Sequence, residues 1–228
     1  MLLFKLFDNP AAFLIWVLAI VVALTIHEFS HGLSAKLQGD PTAEGEGRLT
    51  LNPLAHIDWI GFALLVLIGF GWAKPTPFNP YNLKYKRFGP ALVALAGPIS
   101  NIIVAAVISV VLVVINSFMP LEPTNFMVLF FTLLIYINIL LAVFNLIPIP
   151  PLDGSKILYT FLAPKRPDIV MVLERYGIWI LMLLIFFGGS AIGFLIQLAF
   201  GLFMAGVSFI SADTADAVIG ALLGFFNT

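Results

Sequence analysis

The sequence predicts an all-α polytopic membrane protein with about five to six transmembrane segments, one of them short or re-entrant, and a small β-hairpin or strand at the membrane surface. Three observations carry this prediction. Hydrophobic residues fill 61% of the 228 positions and charged residues 10%, against roughly 45–50% and about 25% in soluble domains, so no water-soluble globule of this size can hide its apolar surface. Mean hydropathy is +1.08. The charged residues fall in clusters, and long uncharged runs separate them. The length suits a single domain.

Residues 11–37 form the first run, apolar from Ala11 to Ile26 apart from Thr25, with polar residues only after it. It reads as a retained first span because no small-residue cleavage site follows it. Residues 43–53 leave the helical texture: Gly45 and Gly47 punctuate them, and Leu49 and Leu51 alternate with Arg48 and Thr50, the period of a surface strand. The uncharged part of 57–73 is too short to cross a bilayer, so a re-entrant segment is expected. Residues 88–147 carry two uncharged stretches joined by Met119-Pro-Leu-Glu-Pro123 and read as a helical hairpin. Residues 148–154 form a proline-rich break ending in Asp153-Gly154, and residues 169–210 supply the C-terminal spans, two of them if Gly188-Gly189-Ser190 divides the run.

Basic residues orient these segments. Lys36, Arg48, Lys74, Lys84, Lys86, Arg87, Lys156, Lys165, Arg166 and Arg175 fall in loops that share one side if 57–73 re-enters, whereas 119–125 has none. By the positive-inside rule that side is the cytoplasm, with Lys5 the one dissenting charge. The expected location is therefore the cell membrane, with lipid bilayer as surroundings. The 11 Lys+Arg against 12 Asp+Glu give a net charge of -1 with no basic face, which excludes nucleic-acid binding. Cysteine is absent, which excludes disulfides, thiolate metal sites and a cysteine nucleophile.

The chemistry concentrates in His27-Glu28-Phe29-Ser30-His31. Two imidazoles at i and i+4 share a helix face and can reach one Zn²⁺, with Glu28 beside them to take a proton from water. The alternative is a structural polar cluster, or an ion-coupling site in a transporter or metal-binding scaffold. A catalytic zinc needs a third protein ligand, and His56 lies outside the spans, so a carboxylate is expected. Asp153 follows three prolines within four positions, where backbone leaves the helix at membrane depth, as it does only beside protein or a watered cavity. Asp153 can alternatively cap the next helix. Glu174 is the rival third ligand. Asn145 is a candidate donor to a developing oxyanion, and Asn101 an interhelical hydrogen-bonding residue. His56 and Asp58 read first as local polar structure.

At these residues the chain resembles the site-2 proteases, intramembrane zinc metalloproteases that cut transmembrane helices. The resemblance rests on His27-Glu-Phe-Ser-His31, Thr50-Leu-Asn-Pro-Leu-Ala-His56-Ile-Asp58, Gly71-Trp-Ala-Lys-Pro75, Gly97-Pro-Ile-Ser-Asn101, and Asn145 to Asp153-Gly154. It implies one zinc ion per chain on His27, His31 and Asp153, with Glu28 as catalytic carboxylate and Asn145 near the reacting carbonyl. Many members carry a PDZ domain between the last two motif helices; here that connection is 119–125, so a minimal member is implied. The implied partner is a single-span or membrane-anchored protein substrate; from the residues themselves, an extended segment of it is expected to pair with the exposed edge of the 43–52 strand.

Overall fold

A computed structural model describes residues 7–69 and 71–227; the Lys5 charge and Phe70 of the re-entrant segment lie outside them. The described residues are helical without strands. In chain order they form α1 (Pro10–Leu37), α2 (Thr42–Gly45), a 3₁₀ turn (Pro53–Ala55), α3 (Trp59–Ile68), α4 (Gly89–Phe118), α5 (Phe126–Asn145), α6 (Gly154–Leu162), α7 (Pro167–Ile210) and α8 (Ala212–Asn227).

Local chemistry sets the helix starts. Asn9 caps α1 by accepting from Ala12 N at 3.1 Å, with Pro10 in the first turn where no N–H is needed. Asp58 caps α3 through Ile60 N and Gly61 N, and Asn125 caps α5 through Met127 N. Asn116 Oδ1 accepts from Leu121 N at 3.1 Å, closing the α4–α5 hairpin.

Helices α1, α4 and α5 make the body. Among the buried positions of α1, Ala12, Trp16, Ala19, Ala23, His27, His31 and Ala35 follow one another at three or four residues and therefore form one stripe. Alanines 19 and 23 belong to the same buried cluster as Ala105, Leu133 and Ile135. Lipid leaves little hydrophobic drive between helices, so small residues that permit close approach carry the packing. The same stripe, continued by one turn, presents both histidines to α4.

Two expectations are corrected. Among the described residues four helices, α1, α4, α5 and α7, are long and apolar enough to cross a membrane, which does not confirm the count of five to six, and 169–210 does not divide. α7 runs 44 residues unbroken through Gly188-Gly189. Each glycine costs about 1 kcal/mol against alanine in a helix, whereas each backbone group orphaned in lipid costs several, so the helix continues. The chain reverses only at Ser211, where α8 folds back, and Ser211 Oγ accepts from Thr214 N at 3.3 Å.

The surface strand at 43–53 is also absent from the described residues. Asp40 accepts from Thr42 N and Thr42 Oγ1, which starts the turn of α2, and Gly47, with φ +66°, bends the chain where a strand would run straight. The alternation at 48–51 covers too few residues, with no partner strand, to outweigh these turns. α3 has 10 residues, about 15 Å of helix, half of a bilayer core.

A candidate metal centre at the α1–α4 contact

The site begins with the stripe on α1. His27 and His31 sit one turn apart, their Nε2 atoms 3.0 Å from each other and their rings edge to face. They are 3% and 7% exposed. Their outer nitrogens are both engaged. His31 Nδ1 lies 2.7 Å from Val93 O on α4, and His27 Nδ1 lies 2.6 Å from Asn101 Oδ1 on the same helix. A carbonyl only accepts, so His31 Nδ1 carries the proton.

The amide of Asn101 is oriented as firmly. Its Nδ2 donates to Asn138 Oδ1 on α5 at 2.7 Å, and Asn138 Nδ2 donates to Leu134 O at 2.7 Å. The series ends on a backbone acceptor, so every amide in it has one allowed orientation and His27 Nδ1 is also a donor. Both Nε2 atoms therefore present lone pairs to the same point.

Asp153 completes the group from the other side. Pro148, Pro150 and Pro151 prevent α5 from continuing, and Leu152 N bonds Ile149 O to turn the chain back. Gly154 makes the return possible, since a Cβ there would lie 2.3 Å from Leu146 O. Asp153 Oδ2 stands 3.2 Å from both histidine Nε2 atoms. It is buried without a hydrogen-bond donor, and the side chain does not cap α6, so the capping alternative fails.

This donor set fits zinc. Two imidazole lone pairs and a carboxylate oxygen converge at 3.0–3.2 Å, and three acceptors at that separation repel one another unless a cation lies among them. Zinc–ligand bonds of about 2.0–2.1 Å at tetrahedral angles place ligand atoms about 3.3 Å apart. The wall opposite is Gly97, where a Cβ would lie 2.5 Å from His31 Nε2 and from His27 Cε1. Any side chain at 97 would fill the place the imidazoles need.

Glu28 leaves α1 on another face and is held by an irregular loop. Thr76 N donates to Glu28 Oε2 at 2.8 Å, and Thr76 Oγ1 donates to Glu28 O at 3.0 Å. The loop is fixed at three further points. Buried Arg48 donates through Nη2 to Lys74 O and Pro75 O at 2.5 and 3.2 Å, His56 O accepts from Lys74 N, and Asp40 Oδ2 accepts from Asn79 N at 2.6 Å. His56 Nε2 in turn donates to Thr50 O at 2.8 Å. Burial alone raises the Asp40 carboxyl, but hydrogen bonds from Thr42, Asn82 and Asn79 outweigh it and hold it below its usual value. The Thr50–Asp58 and Gly71–Pro75 motifs thus serve one purpose: they seat the loop that holds Glu28.

The sequence-predicted residues divide accordingly. His27, His31 and Asp153 meet, and Glu28 is adjacent to His27. Asn145 lies at the end of α5, and its Nδ2 donates to Leu141 O at 3.0 Å within its own helix. Glu174 pairs with Lys156 at 3.3 Å on the exposed α6–α7 face, away from the histidines. Sequence reasoning missed Asn138, Arg48, Thr76 and Gly97. Asn138 had a signal, since an amide amid apolar helix needs a partner. Thr76 holds the Glu28 carboxylate through its backbone N–H and had none.

With this geometry in place, comparison with known proteins is informative. The sequence profile described as "Peptidase family M50" matches residues 121–184. The Bacillus subtilis protein named "Putative zinc metalloprotease YwhC" is 37% identical over 171 residues, covering 74% of this chain and 78% of its own. The Mycolicibacterium smegmatis protein named "Putative zinc metalloprotease Rip2" is 29% identical, covering 72% of this chain and 64% of its own. The Methanocaldococcus jannaschii protein named "Putative zinc metalloprotease MJ0611" is 28% identical, covering 64% of this chain and 70% of its own. No solved structure matches the chain.

Proposed function

The chain belongs to peptidase family M50, the site-2 protease family, and is a membrane zinc metalloprotease; from this premise we propose that it hydrolyses peptide bonds within or near the transmembrane segments of single-span, membrane-anchored proteins. The observation that carries the reading is the position of Asp153 Oδ2, 3.2 Å from both histidine Nε2 atoms and free of any donor, one helix face away from Glu28.

In this reading His27, His31 and Asp153 hold one zinc ion. When bound, zinc supplies Lewis acidity, which lets water attack near neutral pH and polarises the carbonyl under attack. Glu28, oriented by Thr76 N, takes the proton of the attacking water and delivers it to the leaving amine, so the peptide bond ends as a carboxylic acid and an amine. Asn145 Nδ2 gives one hydrogen to Leu141 O and keeps a second that can serve a developing oxyanion.

A substrate helix hides its carbonyls in internal hydrogen bonds, so it must unwind before it is cut. An apolar cavity of about 490 Å³ lies between α1, α3 and α5, lined by Leu24, Phe62, Leu65, Tyr136 and Leu140. Leu24 is one turn from Glu28, so this cavity supports the reading by offering room for apolar side chains of an unwound segment. Lys36 follows His31 by five residues, Lys74 precedes Thr76 by two and Lys156 follows Asp153 by three, an arrangement that supports a cytoplasmic-facing site in the cell membrane. The experiment is cleavage of a single-span reporter by purified protein in liposomes. Chelation should stop cleavage and added zinc restore it, and a reporter left whole under both conditions contradicts the proposal.

A further inference from the structure

We infer that Asn138, which reaches neither the metal group nor any substrate, is a positioning residue that sets the tautomer of His27 through Asn101. The inference rests on the ligand role given to His27 above. Both asparagines are 0% exposed, and three bonds of 2.6–2.7 Å join Leu134 O, Asn138, Asn101 and His27 Nδ1. Both Asn138 and Asn101 sit in the middle of apolar helices, where each amide retains its position only with partners for both its ends.

The consequence follows from what the Asn101 amide can do. Its two ends are nearly the same shape, and they differ only in that one donates and the other accepts. Asn138 Oδ1 accepts and therefore attracts the Asn101 nitrogen, which leaves the Asn101 oxygen for His27. Without that acceptor the amide of Asn101 can turn over and present its nitrogen to His27 Nδ1. The imidazole then accepts there, its proton moves to Nε2, and Nε2 is lost as a ligand. His31 has no such dependence, because its Nδ1 meets the Val93 carbonyl, which cannot turn over. The two histidines of one motif are thus fixed by different means, one by backbone and one by a side-chain relay spanning three helices.

Outer hydrogen-bond partners of metal ligands typically affect affinity 10- to 100-fold. Zinc affinity is measured on the purified full chain in detergent by competition with a fluorescent chelator, which does not depend on activity. Leu, Asp and Asn share nearly one shape. Asn138→Leu should weaken zinc about 10- to 100-fold, whereas Asn138→Asp, whose carboxyl accepts from Asn101 in either protonation state, should stay within a few-fold of wild type. Asn101→Asp presents only oxygen to His27 and cannot turn over, so adding Asn138→Leu to it should cost little. Equal losses in Asn138→Leu and Asn138→Asp, a loss that persists undiminished in the Asn101→Asp background, or wild-type affinity in Asn138→Leu would each overturn the inference. Asp153→Ala is measured alongside. Full zinc in that variant contradicts the ligand assignment itself, and so separates its failure from that of the relay.

Discussion

The two faces of α1 near Leu37 are supported in opposite ways. His27 and His31 turn into the contact with α4 and α5, where their outer nitrogens meet a buried amide relay and a helix carbonyl. Glu28, the next residue after His27, leans on a loop without regular structure, tied down by Arg48, His56 and Asp40. A metal site needs ligands held to a few tenths of an ångström, and helix packing in a membrane supplies that rigidity. A proton-transfer group must approach substrate, and a loop can adjust where a packed helix face cannot. Metal retention and proton transfer therefore rest on different elements and should separate under mutation.

The largest effects should come from the helical face. Asp153→Ala removes a proposed ligand and should lower zinc affinity more than about 100-fold and abolish cleavage, measured by elemental analysis and a reporter assay. Gly97→Ala should do nearly as much, because its Cβ would collide with both imidazoles. Wild-type zinc in Gly97→Ala would mean that α4 can withdraw from α1. On the loop face the expected effects are smaller. Arg48→Met keeps the bulk of the stem but loses the bonds to Lys74 O and Pro75 O. It should lower cleavage about 10- to 100-fold with zinc unchanged, and equal losses of zinc and cleavage would erase the contrast between the faces.

The smallest effect concerns acid. The Asp40 carboxyl lies below its usual value in the folded protein, so its contribution to stability is present above the unfolded value of about 3.9 and is lost as pH falls through the folded one. Asp40→Asn should remove that part of the acid sensitivity of the loop, read as hydrogen exchange at 74–79 below about pH 4. Unchanged acid sensitivity would assign it to other groups.

The metal face was legible in the sequence because its spacing is a property of the helix: i and i+4 fix a shared face wherever that helix lies. Asp153 was legible because three prolines force the chain out of α5. The support of Glu28 was not legible, since it runs through the N–H of Thr76 and the carbonyls of Lys74 and Pro75, groups that every residue carries. The strand expected at 43–53 failed for a related reason. Alternation of Arg48, Leu49, Thr50 and Leu51 records which side chains are apolar, while turns at Asp40 and Gly47 decide the path. The C-terminal spans misled because Gly188-Gly189 breaks helices in water, where exposed backbone finds partners, and not in lipid.

Glu28→Gln separates the two faces of α1: it keeps the shape of the side chain and its acceptor oxygen for Thr76 N but cannot take a proton at neutral pH. Zinc stoichiometry and reporter cleavage are measured on the same purified sample. Zinc should equal wild type and cleavage should fall about 100- to 10,000-fold. Loss of zinc together with cleavage would contradict that separation, placing Glu28 among the groups that hold the metal and joining the two faces of α1 into one.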